Sequence, residues 1–435
     1  MKQVNLLTDS PRRLFFHYLG PTIGSSMVTS IYILADTIMV GQGVGDAGLA
    51  ALTIFMPIVA SFFALGLLLG VGGGVLMSVA KGSGNESLAH KYFSTAMISA
   101  AVVSVCFAVF GAIFFDPMMY ALGADTTNIE LVRGYGLCYT VSAPLFIFSS
   151  SLQSFIRNDK SPRHAMIAVL TGSGLNILLD YLFIFVFKMG MFGASFATSI
   201  GTSITVCILV IHFFTKKNTM RFSFRFFSIK ALWEIAKCGF SSFLIECANA
   251  VLVFVFNHTL LKYIGSVGVT VYSIMSNVAV VCMSLFNGVT LAAQPIIATN
   301  HGADNHKRVL QVQHIGTITS SVIAVIIFCV GFFFPDLLIY SYVKGPTPEI
   351  LELARYALRI YFFAYLFMNF NIFFSGYFQS TLRPVAAITI QILRSLLLSS
   401  VLVSVLPMIF GADAIWYAVP VTECITFSVF ALFVL

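Results

Sequence analysis

Hydrophobic and polar residues follow one another in long blocks along this chain. Apolar runs of about 20 residues or more recur from end to end, and each is long enough to cross a bilayer core of ~30 Å as a helix. Short polar segments separate them. The pattern predicts twelve transmembrane helices, at 14–41, 50–78, 92–115, 134–156, 163–187, 192–214, 237–262, 267–299, 311–334, 355–379, 384–408 and 413–435.

The composition fits an all-α integral membrane protein. Hydrophobic residues make up 58% of the chain and charged residues 9%, whereas about a quarter of a soluble domain is charged. The eight cysteines are scattered singly without C-x-x-C spacing, which argues against a metal or redox site. No span carries H-E-x-x-H or a nucleophile–base pattern, so an enzyme is not predicted, and no resident cofactor is expected.

Basic residues orient the chain in the membrane. With a cytoplasmic N-terminus, 17 Lys and Arg fall in inner segments and 6 in outer ones, and Arg394 is left inside a span. The positive-inside rule therefore predicts that both termini are cytoplasmic. The net charge of +7 follows from this bias, so no nucleic-acid partner is expected. The inner residues are Lys2, Arg12, Arg13, Lys81, Lys91, Arg157, Lys160, Arg163, Lys216, Lys217, Arg221, Arg225, Lys230, Lys237, Lys307, Arg308 and Arg383; the outer ones are Arg133, Lys188, Lys262, Lys344, Arg355 and Arg359.

The chain repeats itself at an offset near 222 residues. Thr37, Gly43, Gly66 and Pro162 meet Thr259, Gly265, Gly288 and Pro384 at that spacing, and "GSGN" matches "GADN" after a slip of two. A repeat of six spans is parallel, so we expect two pseudo-symmetric six-helix bundles related by an axis along the membrane normal. The predicted units are an N-terminal bundle (1–214), a basic cytoplasmic linker (215–236) and a C-terminal bundle (237–435). Two such bundles around a central cavity are typical of a transporter.

Four acids lie within the spans: Asp36, Asp180, Glu246 and Glu423. A charge at membrane depth is costly, so each is a candidate functional residue. At about 1.5 Å per residue, Asp36, Asp180 and Thr198 all lie ~8–12 Å below the outer ends of their spans. Asn176 precedes Asp180 by one helical turn and shares its face, as Tyr32 does with Asp36.

Two carboxylates, an amide oxygen and a hydroxyl at one depth predict a coupling site for a cation or a proton. Hard oxygen ligands suit a small cation such as Na⁺. Alternatively, the two acids share a proton because both cannot ionise in a dry pocket; a third interpretation is hydrogen bonding between packed helices. At the 222 offset Asp36 falls on His258, Asn176 on Leu398 and Asp180 on Leu402. The site should therefore be confined to the N-terminal bundle.

The remaining intramembrane charges have other interpretations. Arg394 lies about 15 Å into span 11, and Glu423 is the predicted carboxylate partner, in an ion pair with a structural role. Glu246 is either an anion in the substrate cavity or the partner of a polar neighbour such as Asn249. Met275 and Met283 in span 8 are candidate cavity-lining residues, because methionine suits adaptable binding surfaces, although core packing is the commoner role of a single methionine in a span.

Several runs resemble the MATE family of multidrug and toxic compound extrusion antiporters. They include "LADTIMVG", "LQSFIRNDKSP", "GLNILLDYLFIF" and "GASFATSIG", and the similarity covers essentially the whole chain. In the prokaryotic branch with its ion site in the N-terminal bundle, the resemblance assigns that site to Asp36, Asn176, Asp180 and Thr198. Tyr32 and Gln153 match positions that line the same pocket. Pro21 matches the proline at which the family bends its first helix.

The sequence departs from other MATE proteins in its second half. Their helix-7 glutamate follows a G-x-P proline by eight residues, whereas Glu246 follows Ser241 of "GFS" by five, and their helix-10 acid is missing from "NFNIFFSGYFQST". The resemblance implies an antiporter in a prokaryotic cytoplasmic membrane that is coupled to H⁺ or Na⁺ and exports amphipathic, mostly cationic compounds, as a monomer among membrane lipids. The alternative is a flippase for lipid-linked saccharides, but four intramembrane acids against one Arg suit a pyrophosphate poorly.

Overall fold

The computed structural model describes residues 4–343 and 345–434, which are almost wholly helical and contain no β-strand. Lys2 and Lys344, two of the basic residues used to orient the chain, lie outside them, as does Leu435 at the end of the predicted span 12. The α-helices are α1 (Pro11–Gly43), α2 (Asp46–Gly82), α3 (Glu86–Ile113), α4 (Phe115–Ala121), α5 (Ile129–Val141), α6 (Ala143–Asn158), α7 (Pro162–Asp180), α8 (Gly190–Ile211), α9 (Ile229–Tyr263), α10 (Ser266–Gly302), α11 (His306–Phe333), α12 (Pro335–Tyr342), α13 (Pro348–Phe362), α14 (Tyr365–Ser380), α15 (Pro384–Gln391), α16 (Leu398–Phe410) and α17 (Ala418–Val434).

These helices confirm the predicted all-α membrane architecture. Ten helical segments among the described residues are long and apolar enough to cross a bilayer. Two further spans consist of bent pairs, because α5 and α6 meet at 52° and α13 and α14 at 45°. Counting each pair as one span gives the twelve spans that the hydropathy pattern predicts.

Spans 5 and 11 each contain a π-helical turn, which the sequence analysis did not anticipate. In span 5 the turn Tyr181–Val186 follows α7 directly. In span 11 the turn Ile392–Leu397 joins α15 to α16. π-Turns inside helices frequently mark functional positions, and here one follows Asp180 and the other contains Arg394.

The linker between the two halves is shorter than predicted. The helix of span 7 begins at Ile229 rather than at 237, and the Ser228 hydroxyl caps it by accepting from the Ala231 N–H at 3.4 Å. Its first turns carry Lys237 over the Trp233 ring, 5.2 Å from the ring centroid. Hydropathy marks only the part of a helix that lies in lipid, whereas backbone hydrogen bonds continue into the polar layer. The helix therefore begins eight residues before the predicted start of span 7.

Both bounds of α2 and of α3 repeat at an offset of 220, whereas both bounds of α6 repeat at 222 in α14. Thus α2 and α3 correspond to α10 and α11 at 220. Gly45 and Gly265, the residues before α2 and α10, share a φ near +90°, at +89° and +86°, a conformation that favours glycine. Gly265 therefore matches Gly45, not Gly43 as the 222 offset implied.

The "GSGN" and "GADN" repeats are matching turns between helices. Asn85 caps α3 by accepting from the Leu88 N–H at 3.0 Å, and Asn305 caps α11 by accepting from the Arg308 N–H at 3.3 Å. An asparagine at this position satisfies an N–H group that has no partner within the helix. The two residues are 220 apart, so the slip of two in the sequence alignment has a structural basis.

The two halves of the chain touch through helix backbones at the end that the basic residues predict to be cytoplasmic. Gly82 lies against the Thr299 carbonyl, and Gly302 lies against the Val79 carbonyl, a reciprocal contact at the 220 offset. Gly239 meets the Leu68 carbonyl in the same way. A side chain at any of these three glycines would overlap a backbone atom of the other half. We call these contacts of Gly82, Gly302 and Gly239 the glycine seal.

The start of the chain packs on the second half. Leu6, Leu14 and Phe15 share a buried apolar cluster with side chains of α10 and α11. Arg308 of α11 donates to the Leu6 carbonyl at 3.2 Å, and Asn300 of α10 donates to the same oxygen at 3.0 Å. Helix α1 therefore begins against the C-terminal half and ends in the N-terminal half.

Arg394 and Glu423 form a buried ion pair in the C-terminal half. The Arg394 guanidinium donates to Glu423 from Nε at 3.0 Å and from Nη2 at 2.6 Å. Asn371 of α14 donates to the other carboxylate oxygen at 2.7 Å. Arg394 and Glu423 are 5% and 3% exposed, so each charge depends on the other. The pair joins span 11 to α17, and Asn371 adds α14 to the contact.

We predict that Arg394→Leu destabilises the protein strongly. Removing one partner of a buried ion pair leaves an uncompensated charge, at a cost of about 3–5 kcal/mol. The measurement is the apparent unfolding temperature in detergent, where Arg394→Leu should fall well below the parent and the double variant with Glu423→Gln should recover part of the loss. Exposed Arg359 supplies the control Arg359→Leu. An unchanged unfolding temperature in Arg394→Leu would refute the structural role.

A second buried acid holds the linker against the N-terminal half. Asp159, in the loop between α6 and α7, contacts Lys81 Nζ at 2.5 Å, His212 Nε2 at 2.9 Å and the Thr219 N–H at 3.0 Å. The Asp159 side chain is 0% exposed. Burial by itself would raise its pKa, but the hydrogen bonds from His212, Lys81 and Thr219 and the Lys81 charge outweigh burial and hold the pKa of Asp159 below its usual value.

We predict that Asp159→Asn destabilises the protein by about 1.5–3 kcal/mol at neutral pH, the range for hydrogen bonds to a charged group. A lowered folded-state pKa stabilises only above the unfolded value of about 3.9, and the stabilisation disappears as the pH falls below it. The unfolding temperatures of parent and variant should therefore differ by a constant amount from about pH 5 to 8 and converge below about pH 4. Asp304→Asn, at an 89% exposed side chain, is the control. A gap that persists at the lowest pH would show that Asp159 acts through shape and not charge.

Candidate functional site

Asp36 of α1 and Asp180 of α7 face each other within hydrogen-bonding reach in the N-terminal half. They are 9% and 0% exposed. Both side chains point inward. Their neighbours Ile38 and Tyr181 lie on other faces of the same helices and are exposed. The structure therefore brings together the two acids that depth along the spans had suggested.

The pocket around the acids is rich in acceptor oxygens that lack a donor. Both carboxylate oxygens of Asp180, Oδ1 of Asp36 and Oδ1 of Asn176 are buried with no hydrogen-bond partner in the described structure. Asn176 Nδ2 instead donates to Thr198 Oγ1 at 3.2 Å, and that hydroxyl donates to the Ala194 carbonyl at 3.0 Å. A buried polar atom without a partner carries a free-energy penalty. Four such oxygens in one pocket call for a positive ligand.

Two species suit this oxygen set. A proton shared between Asp36 and Asp180 would turn their contact into a hydrogen bond, since two carboxylates alone contain no donor. A small hard cation such as Na⁺ would take the same oxygens as ligands. The donor atoms in this pocket are all oxygens, which suit a proton or a hard cation better than a transition metal that prefers imidazole or thiolate ligands.

Three tyrosines lie near the acids, and only Tyr32 is predicted from the sequence. Tyr32, one turn before Asp36, lines the adjoining cavity. Tyr135 and Tyr139 of α5 are buried and close enough to Asp36 to interact electrostatically. Tyr139 stacks on Phe146 with ring centroids 4.2 Å apart. Tyr135 and Tyr139 are four residues apart in "GYGLCYT", and that spacing on one helical face is the signal that could have found them.

A cavity of about 430 Å³ lies between the two halves. Asn176, Thr198 and Tyr32 line its wall, whereas Asp36 and Asp180 lie behind them. None of the three glycines of the glycine seal lines this cavity. The acid pocket and the cavity thus share a wall, so the state of one can affect the shape of the other.

The predicted cavity residues divide between the cavity and the core. Gln153, Glu246 and Met283 line the cavity, and Gln153 Nε2 donates to Ser149 Oγ at 3.1 Å. Met275 is 1% exposed and belongs to the apolar core of the C-terminal half. The prediction that Met275 lines the cavity is therefore wrong. Eight residues correspond to about 80° around a helix, which turns Met275 away from the face of Met283.

Pro21 lies inside α1, which continues without a break from Pro11 to Gly43. The next residue, Thr22, donates to the Gly288 carbonyl of α10 at 2.7 Å. Proline removes one backbone hydrogen bond and so weakens the helix locally. The weak point of α1 is thus in contact with the other half of the protein.

In the second half, the positions that correspond to the acid pocket carry apolar residues. At the structural offset of 220, Asp36 corresponds to Phe256 rather than His258, and Phe256 stacks on Tyr272 with centroids 4.5 Å apart. Leu398 and Leu402 fall opposite Asn176 and Asp180 at 222. An aromatic pair in the core of the second half replaces the acid of the first.

Comparisons with known proteins agree with this architecture. The chain matches the family model described as MatE over residues 21–182 and 238–405. It is 25% identical over 415 residues to the Multidrug export protein MepA of Staphylococcus haemolyticus (strain JCSC1435), covering 95% of this chain and 91% of that protein. The same named protein of Staphylococcus saprophyticus subsp. saprophyticus is 26% identical over 413 residues, covering 94% of this chain and 90% of that protein.

A solved structure shows the same fold. It is described as the outward-facing conformation of a multidrug resistance MATE family transporter of the MOP superfamily, and it superimposes with a TM-score of 0.93. The two chains are 21% identical, and the match covers 100% of this chain and 97% of that one. This likeness shows the fold, and the family match over most of its length establishes that the chain is a multi-pass membrane protein of the MatE family of multidrug export transporters.

Proposed function

We propose that this protein is an antiporter that exports amphipathic, mostly cationic organic compounds in exchange for H⁺ or Na⁺ bound by Asp36, Asn176, Asp180 and Thr198. Both walls of the cavity come from one chain, so a monomer suffices for transport. The orientation proposed is that of the positive-inside rule, with both termini in the cytoplasm of a prokaryotic cell. The observation that carries the proposal is the set of four buried acceptor oxygens without donors.

Charge in the acid pocket supplies a physical basis for coupling. With Asp36 and Asp180 both ionised, their repulsion in a low-dielectric site favours an open, hydrated pocket. Binding a proton or Na⁺ removes that repulsion and lets the helices close around the ligand. An ion shifts a conformational equilibrium only through its different affinity for the two shapes. Because α1 carries both Asp36 and the weak point at Pro21, this closure can change how α1 meets the cavity.

The cavity wall supports an organic cation as cargo. Glu246 of α9 lines the cavity and makes no ion pair or hydrogen bond with the described residues. An unpaired carboxylate beside apolar side chains such as Met283 attracts an amphipathic cation. Asn249 also lines the cavity, one turn of α9 away, but the two side chains form no hydrogen bond in the described structure.

We predict that replacing either Asp36 or Asp180 by Asn abolishes ion-driven export. The amide keeps the shape of the carboxyl group but cannot bind a proton or offer a charge to Na⁺. The measurement is uptake of a fluorescent organic cation into proteoliposomes, driven in separate experiments by a pH gradient and by a sodium gradient, which also distinguishes the coupling ion. Both variants should remain folded, because each loses a buried charge that has no protein partner.

Asp46→Asn is the matched control, since Asp46 is an exposed acid at the start of α2. It should transport as the parent does under the same gradients. Parental gradient-driven uptake by Asp180→Asn would disprove the assignment of the coupling site.

Alternating access also requires the glycine seal to form and break. We predict that Gly82→Val, which overlaps the Thr299 carbonyl, costs the sealed state about 1–3 kcal/mol and opens the predicted cytoplasmic side. Cys238 is 4% exposed beside Gly239, so it can report the opening once the other seven cysteines are replaced by serine. Maleimide labelling of Cys238 should rise in Gly82→Val and in Gly302→Val.

Gly174→Val supplies the control for the seal, because a side chain at Gly174 meets no atom within 4 Å. It should leave Cys238 as protected as in the parent. Equal labelling in parent, Gly82→Val and Gly302→Val would show that these glycines do not hold the two halves together.

A further inference from the structure

Arg157 is a buried cation at the wall of the transport cavity. The sequence placed it among the inner basic residues, but the structure puts it in the last turn of α6, 6% exposed and lining the cavity. The positive-inside rule counts residues near the ends of spans and cannot tell a solvated lysine from an arginine turned inward.

The positive charge of Arg157 has no negative partner among the side chains that the structure describes. Its Nη2 donates to Ser154 Oγ at 3.2 Å, and its Nε is buried without any partner among the described residues. Asp159, two residues along the chain, contacts Lys81 and His212 instead. Arg394 lines the same cavity but is neutralised by Glu423. The guanidinium lines the cavity, is nine-tenths buried and has an N–H group without a partner among the described residues, which points to a ligand because an unpaired buried charge is costly.

The opposite charge stands on the other half of the protein. Glu246 of α9 lines the same cavity, and it too forms no ion pair with the described side chains. The cavity therefore holds one unpaired cation on the N-terminal half and one unpaired anion on the C-terminal half. A purely cationic cargo would satisfy Glu246 and leave Arg157 uncompensated.

We propose that Arg157 and Ser154 form a subsite for an oxyanion of the cargo, so that the preferred cargo is a zwitterionic amphiphile with a carboxylate at Arg157 and an ammonium group near Glu246. The planar guanidinium matches a carboxylate through parallel N–H donors, and the Ser154 hydroxyl lies beside it. This inference rests on the proposed export function and names its substrate class. A site with an unpaired buried donor discriminates strongly against a compound that lacks the acceptor.

The test uses two dyes that differ in one group: a rhodamine with a free carboxylate and its ethyl ester. Binding to the purified full-length protein in detergent is measured by fluorescence anisotropy. The parent should bind the carboxylate dye about tenfold more tightly than the ester, the difference expected from about 1.4 kcal/mol of added interaction. In Arg157→Met this preference should vanish or reverse, and Arg157→Lys should keep part of it, because an ammonium retains the charge without the planar fork.

Arg163→Met removes a charge from an exposed position six residues away and should leave the affinity of both dyes and their ratio as in the parent. Glu246→Gln should weaken both dyes together, because both carry the cation. Displacement of the carboxylate dye by lysophosphatidylcholine in the parent, but not in Arg157→Met, would also support the oxyanion subsite and identify a lipid headgroup as a second source of the anion.

Equal affinity of the parent for the two dyes, or an equal change for both dyes in Arg157→Met, would overturn the proposal and leave Arg157 with a packing role. Gradient-driven uptake of the ester dye by the parent is the separate readout of export. Loss of the dye preference with intact ester uptake refutes only the subsite, whereas absent uptake with the preference intact refutes only the export function.

Discussion

A charge buried in a membrane protein must be compensated, because neither lipid nor a dry interior solvates it. Arg394 and Glu423 compensate each other, and Asp159 is held by Lys81 and His212. These charges stabilise one arrangement of helices and need no ligand. Asp36 and Asp180 face each other with the same sign, so only a positive ligand relieves them. Buried charges with a partner therefore stabilise the fold, whereas buried charges without a partner mark candidate ligand-binding sites.

The same constraint separates the ion site from the cavity. Asn176, Thr198 and Tyr32 line the cavity, whereas Asp36 and Asp180 lie behind them and do not line it. The cavity itself is lined by the unpaired Glu246 and Arg157, one on each half. Under the proposed function, cargo and coupling ion would therefore meet different charges, and the shared wall would be the route by which one affects the other.

Repetition and its loss have distinct physical causes. The backbone contacts between the halves are reciprocal, with Gly82 and Gly302 in equivalent places 220 residues apart, because a pseudo-two-fold contact must use the same surface on both partners. The side chains facing each bundle's interior carry no such requirement. Asp36 in one half and Phe256 in the other occupy equivalent positions, so the halves share a scaffold while only the first holds the acid pocket.

The amino-acid sequence by itself determined the properties that each residue carries alone or shares with helical neighbours. Hydropathy predicts twelve spans, and the rise of the helix places Asp36 and Asp180 at one depth with Asn176 one turn from Asp180. Hydropathy also misplaced the start of α9, because transfer free energy marks contact with lipid and not the extent of a helix. The nearness of Tyr135 and Tyr139 to Asp36, the partnerless Nε of Arg157 and the turn of Met275 into the core were decided only by the tertiary structure. Each depends on which distant helix lies opposite, and a charge is paired or unpaired only when residues far apart in the chain are brought together.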